Sequence, residues 1–157
     1  ERWIEDGQVD FGFLSGDVKD SLETIFVEED RLLAVIPFTH PLAQANVFPM
    51  HALNESPFML LEKGESEVIS AIFEEHNIQP MVHFKTWDDY AIMSMVENEL
   101  GISILPELIL KRIPYDVVVK ELEMPAYRSI YIGMKEHKSL SIAAKQFLTY
   151  LQYRHGE

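Results

Sequence analysis

The stretch Thr86–Pro106, TWDDYAIMSMVENELGISILP, decides how the rest of the chain is read. Thr86 followed three residues later by Asp89 fits a capping box, in which the hydroxyl accepts from first-turn amides and the carboxylate reaches back to the cap amide. Asp88 and Asp89 also set negative charge where a helix dipole is positive. Ala91, Ile92, Met95, Val96 and Leu100 then recur on one helical face. Gly101 is expected to supply the left-handed residue after the last turn. Ile102, Ile104 and Leu105 read as a short buried strand, and Pro106 restarts a helix. A helix feeding a strand through one glycine, then another helix, predicts a parallel α/β layer.

Outward from that stretch, alternating elements continue in both directions. Glu1–Asp6 reads as the tail of a helix ended by Gly7, so the natural chain is expected to start upstream. Val9–Leu14 is a mostly apolar run of the kind expected for a buried strand. Its exit, Ser15-Gly16-Asp17, resembles the loops that line pockets at a strand's carboxyl end. Leu22–Val27 and Arg31–Ile36 are expected as two strands separated by an acidic turn, Glu28-Glu29-Asp30. Pro37–Leu42 is the first break that could separate lobes, and Met50–Glu55 predicts a short helix. Phe58–Leu61 reads as a strand, Glu62–Ser66 as a loop, Glu67–His76 as a helix and Met81–Phe84 as a strand. After Pro106 come a helix over Glu107–Arg112, a strand over Val117–Leu122, a break at Pro125-Ala126, a strand over Ser129–Lys135 and a helix over Ser141–Tyr153. The expected organisation is two lobes joined by two crossings: residues 1–38 with 128–157 as lobe A, and 39–127 as lobe B. Such a hinged pair places a cleft where small ligands commonly bind.

Composition narrows the function classes. The 157 residues hold 13 Lys and Arg against 26 Asp and Glu, a net charge of -13. No basic cluster is present to grip phosphates, so nucleic-acid binding by this polypeptide is disfavoured, as is an anionic membrane surface. The absence of cysteine excludes disulfide and thiolate chemistry and suits a reducing cytoplasm. No apolar run approaches the roughly 18 residues of a membrane span.

Candidate chemistry is sparse. No G-x-S-x-G elbow occurs, and Ser15 has no recognisable triad spacing. The six histidines form no H-x-x-x-H pair, and His51 with Glu55 is better explained as a solvated helix face than as a metal site. Asp88 and Asp89 point about 100° apart on a helix, which excludes a shared-proton dyad and favours capping. Gly64 before Ser66 at a helix start could receive a small anion or be an ordinary loop, and the amides ahead of Trp87 are a second candidate. Trp87 is a cleft wall or a core plug, with the wall favoured, while Met59, Met93 and Met95 read as core. Helix starts facing a cleft without nucleophile, metal or base describe a binder, not an enzyme, and no cofactor is expected.

These motifs resemble those of one family. VENELGISILPELI is similar to the V..G.GI..LP segment of the effector-binding domain of LysR-type transcriptional regulators. VDFGFL at Val9–Leu14 resembles that family's vDlgi strand. The run from Leu32 to His40-Pro41-Leu42-Ala43 resembles its l.lv.p..HPLA. PFMLLEKG at Pro57–Gly64 and the final helix AAKQFLTYL follow in family order. The resemblance implies a two-lobe, type II periplasmic-binding-protein-like α/β clamshell. It also implies that the domain senses a small-molecule effector in the interlobe cleft of a cytoplasmic, dimeric or tetrameric repressor or activator. By family position, effector contacts are expected at Ser15, Gly16, Thr39, His40, Glu62, Gly64, Glu65, Ser66, Thr86, Trp87 and Asp88. The family's helix-turn-helix, through which DNA would be bound, and the opening strand-helix-strand of lobe A are not in the sequence. An incomplete lobe A sheet is expected to favour self-association through its edges. A transporter's solute-binding protein, or an enzyme on the same fold, are the alternative readings.

Overall fold

A computed structural model describes residues 1–16, 18–62 and 65–154, with the side chains of 65–67 and 152–154 left aside. The elements in chain order are α1 (Arg2–Glu5), β1 (Phe11–Ser15), β2 (Glu23–Ile36), β3 (Val47–Phe48), a 3-10 helix (Met50–Asn54) and β4 (Pro57–Leu61). There follow α2 (Glu65–Glu75), β5 (Met81–Thr86), α3 (Asp89–Glu97), β6 (Ser103–Pro106), α4 (Glu107–Leu110) and β7 (Val118–Met134). A second 3-10 turn (His137–Ser139) and α5 (Ile142–Arg154) complete the chain. Two compact units result: Glu1–Glu28 with Ser129–Glu157 (unit 1), and Glu29–Arg128 (unit 2). The chain passes between them twice, once inside β2 and once inside β7. The first passage falls at Glu28/Glu29, whereas the sequence places it at 38/39.

In unit 2, β4 and β5 are parallel, from Pro57↔Met81 to Leu61↔Thr86, with a register shift between Phe58 and Met59. Phe58 also bridges Ile102 in parallel. Two backbone bonds hold that bridge, Met59 N–H to Ile102 O at 2.9 Å and Ile102 N–H to Pro57 O at 2.8 Å. β6 runs antiparallel to β2, Leu32↔Pro106 to Val35↔Ser103, and β3 is parallel to β7 at Val47↔Glu121.

Strand residues alternate between faces, and here both faces are covered. Leu32, Ala34 and Ile36 of β2 join Phe58 of β4 and Ile104 of β6 in one core, packed against Val68, Ile72 and Phe73 of α2. The residues between them, Leu33, Val35, Met59, Leu61 and Leu105, join Ile92, Met93 and Val96 of α3 in a second core. Of the parallel layer read from Thr86–Pro106, β4 with β5 and the Phe58–Ile102 bridge are parallel, but β6 itself belongs to the sheet ordered β1-β7-β2-β6 and pairs antiparallel with β2; Met59 and Met93 are core as expected. Ser103 is buried and donates its hydroxyl to Met59 O at 2.7 Å.

Unit 1 pairs β1 antiparallel with the end of β7, Phe11↔Met134 to Ser15↔Ile130. Its core holds Ile132, Met134, Leu140, Ala144 and Leu148, with Phe11, Ile25 and Val27 packed on it. Phe11 stacks on Phe147 of α5 at 5.3 Å.

Several local expectations are corrected. Glu28-Glu29-Asp30 is no turn: β2 runs through it, because Asp30 turns its carboxylate inward to partners while Glu28 and Glu29 stay exposed. Pro125 does not end a strand either, since β7 continues through it. Proline is compatible with extended backbone wherever its missing N–H is not needed. The left-handed residue closing α3 is Glu99, φ 62, not Gly101. Glu99 N–H bonds Val96 O at 2.9 Å and Leu100 N–H bonds Met95 O at 3.0 Å, the paired bonds of a Schellman end. Gly101 is itself at positive φ, 154, and is needed as glycine for a second reason: a Cβ there would run into the carbonyl oxygen of Pro57.

Candidate functional site

In unit 2 the carboxyl ends of β4 and β5 lie side by side, because a parallel pair finishes at one edge. The Glu62 amide donates to Thr86 O at 2.8 Å, closing the pair. α2 begins at Glu65 and α3 at Asp89, so both helices start at that edge. Helix starts at strand carboxyl ends gather unpaired amides and the positive ends of dipoles.

The cap of α3 differs from the expected one. Asp88, not Thr86, is the N-cap: its Oδ1 accepts from Tyr90 N–H at 2.9 Å and Ala91 N–H at 3.2 Å. The capping-box reading failed because the chain stays extended one step longer, through Thr86 as the last residue of β5. Thr86 Oγ1 accepts from the Asp88 amide at 3.2 Å instead. With Asp88 occupying the Tyr90 and Ala91 amides, those two are not open to an anion. Trp87 is 68% exposed. It is therefore not a core plug. Of the expected contacts, Glu62 and Thr86 meet through their backbone bond, and Trp87 and Asp88 follow Thr86 in the chain.

Gly64 lies outside the described residues, as do the side chains of Glu65 and Ser66. Thr39 is exposed in the turn after β2, and His40 is half-buried. His40 Nδ1 accepts from Leu42 N–H at 3.1 Å, and its Nε2 lies 3.3 Å from Ser56 Oγ. Accepting at Nδ1 leaves the proton of the neutral ring on Nε2. Burial lowers the His40 pKa below 6.5, the same preference for a neutral ring. His40 lines a 410 Å³ cavity with Pro41, Leu42, Pro49, His51, Ala52, Glu55 and Ser56. His51 and Glu55, read as a solvated face, are both exposed. No cluster of metal-ligating side chains occurs among the described residues.

In unit 1, Ser15 ends β1 opposite Ile130, and Gly16, φ 80, follows it. Gly16 lines a 360 Å³ cavity with Val18, Lys19, Asp20, Leu22, Thr24 and Tyr131. Lys19 is committed to Glu5, Nζ to Oε2 at 2.9 Å, and this contact, with the Ser21 hydroxyl, draws the Glu5 carboxyl below its usual range.

Sequence reading missed the buried pair of Asp30 and Arg128. Arg128 donates to Asp30 Oδ2 from Nε at 3.0 Å and Nη2 at 2.7 Å, while Leu108 N–H donates to Oδ1 at 3.0 Å. No local signal marked it, since Asp30, after Glu28 and Glu29 and two residues before the apolar run Leu32–Ile36, has the composition of an ordinary turn.

Helix starts at the carboxyl edge of a parallel pair, and two units joined by two passages of the chain, define the mixed α/β, type II periplasmic-binding-protein-like class. Solved structures agree on the fold. The CcmR regulatory domain of Synechocystis PCC6803 in complex with 2-PG is similar with a TM-score of 0.87 and 22% identity, over 99% of this chain and 78% of that one. The effector binding domain of QuiR in complex with shikimate is similar with a TM-score of 0.84 and 23% identity, over 96% of this chain and 73% of that one. The model of the LysR substrate binding domain family matches residues 1–155, and the chain belongs to that family. It is 25% identical over 150 residues to the HTH-type transcriptional regulator YvbU of Bacillus subtilis (strain 168), covering 94% of this chain and 51% of that protein. The chain spans about half the length of the first curated relatives it matches. These relatives are transcriptional regulators. Among the described residues no helix is long and apolar enough to cross a membrane.

Proposed function

We propose that this chain is the effector-sensing part of a bacterial LysR-type transcriptional regulator that works in the cytoplasm as a homodimer or tetramer. DNA is then bound by a helix-turn-helix outside these residues, in keeping with the net charge of -13. The effector is a small molecule. The chain recognises and reports, without catalysing a reaction on what it binds. The observation that supports this reading is the Glu62–Thr86 junction, where β4 and β5 end side by side and two helices begin. In type II binding-protein-like folds, such an edge is where ligands are met. Ser15, Gly16, Thr39, His40, Gly64, Glu65 and Ser66 complete the proposed contact set, and residues 1–38 with 128–157 and 39–127 are the proposed lobes. Domains of this fold with 2-PG or shikimate bound support a small-molecule effector.

A thermal-shift screen tests it, starting from shikimate and 2-PG and extending to amino acids, sugars and nucleobases. A ligand at about 100 times its Kd stabilises the native state by about 2.7 kcal/mol and raises Tm accordingly. The expected result is at least one shift that Trp87→Ala abolishes while leaving the ligand-free Tm unchanged, since that ring is exposed. A shift untouched by Trp87→Ala and Thr86→Ala moves the site elsewhere. No shift from any class overturns small-molecule sensing.

A further inference from the structure

Two arginines bind β2, β7 and the start of α4 together at the margin of unit 2. Asp30 is 2% exposed, and its carboxylate is fully engaged by Arg128 and the Leu108 amide. One residue on, Arg31 donates to both oxygens of Glu107, from Nε at 3.0 Å and Nη2 at 3.1 Å, and through Nη1 to Glu121 at 2.8 Å. Both clusters therefore join the same three elements, one buried and one exposed. Unit 2 begins at Glu29 and ends at Arg128. The buried pair thus joins the second residue of the unit to its last, where both strands leave it.

A buried ion pair contributes little net stability compared with an apolar pair of the same shape, but it fixes how its groups are placed. Stability alone would be served as well by leucines. β2 and β7 are hydrogen-bonded neighbours in one sheet, so what the charges add is that this strand pair cannot shift against the start of α4 without leaving a buried carboxylate unpaired, which is strongly unfavourable.

We propose that Asp30 and Arg128 are positioning residues of the sensing response: they make the paired strands β2 and β7 leave unit 2 fastened to the start of α4. Backbone adjustment that accompanies effector binding is then taken up beyond the clamp, at Val27–Glu29 and Ser129–Ile130. The use of the clamp rests on the sensing reading above, but the clamp itself is tested without an effector.

Amide hydrogen exchange on the 157-residue chain decides it. In the wild type, residues 31–36 and 122–127 exchange slowly. Asp30→Asn is expected to raise exchange about tenfold or more at residues 28–32, 108 and 126–130, leaving 58–61 and 103–105 unchanged. A uniform rise across Glu29–Arg128 makes the pair a plain stability element and overturns the proposal, as does no change at all. If Asp30→Asn does not fold, Arg128→Lys keeps the charge but gives up the planar fork. It is expected to give the same localised pattern at smaller amplitude, and a uniform or absent change overturns the proposal equally. With a hit from the thermal-shift screen in hand, Arg128→Lys should spread the ligand-induced change in exchange from 27–29 and 129–130 into 30–36. Confinement to 27–30 in that variant overturns the positioning role. A screen without hits removes the sensing reading and leaves the exchange pattern to be judged by itself.

Discussion

The two units solve the same problem, a sheet with two faces, with different completeness. In unit 2 the strands send alternate residues to opposite sides, and each side meets a helix, α2 or α3. In unit 1 one face packs on α5, through Phe11, Ile132 and Met134. The other face of β1 and β7 receives Ile4 of the one-turn α1, whose Cδ1 approaches Gly12 and Gly133. On that side Phe26 remains 55% exposed, touching Tyr131 edge-on at 5.9 Å. Ile142, at the start of α5, is 88% exposed. Apolar content therefore does not decide burial; a second layer over the face does.

The largest test of this contrast is a pair of truncations. Phe58→Ala empties a fully buried site between α2 and the sheet and should cost about 3–5 kcal/mol in urea unfolding. Phe26→Ala removes a ring already mostly in water and should stay within about 0.5 kcal/mol. Similar losses for both would break the comparison, because unit 1 would then have a second covered face. A smaller effect sharpens the account of unit 2: Asp88→Ala gives up the two cap bonds of α3 and should cost about 0.5–2 kcal/mol. Thr86→Ala, by contrast, should be milder, and the reverse ranking would restore Thr86 as the cap. The smallest effect is a pH dependence. His40 has a folded pKa below its ordinary 6.5 through burial. As pH falls through 6.5 the unfolded chain takes up the proton first, so stability declines until the lower folded pKa is passed. Melting followed between about pH 7.5 and about pH 5.5 should show a shallower decline in His40→Asn than in the wild type. Equal declines would mean that carboxylates elsewhere account for all of it.

Much of the fold was legible because periodicity reports burial directly. Ile92 and Val96 of the expected helical face are buried on α3, although Leu100 of that face lies beyond the helix end and is 47% exposed, and the apolar run Leu32–Ile36 lies in β2. The misreadings share one cause: a polar or proline residue was taken as punctuation where tertiary partners absorb it. Asp30 is held by Arg128, 98 residues away, and no local rule can foresee that bond. Pro125 reads locally as a break, yet strand β7 runs on through it. The cap moved from Thr86 to Asp88 because β5 keeps the chain extended through Thr86 beside Leu61. Of the candidate site, the sequence marked the Thr86–Asp88 turn well, since strand ends and helix starts carry local signals. It did not mark Glu62 as the partner of Thr86 for the reason that pairing register is a long-range property.

The double-sided keying of β4 bears on how lineages of this domain can vary. Phe58 and Met59 serve opposite cores, as do Leu32 and Leu33 of β2 and Ile104 and Leu105 of β6. One residue gained or lost within β4 would deliver each side chain to the wrong core on both faces at once. No compensating substitution on a single face could repair that. Insertions and deletions should therefore collect in connections such as 39–46 and 111–117, while these strands drift in composition but hold their length.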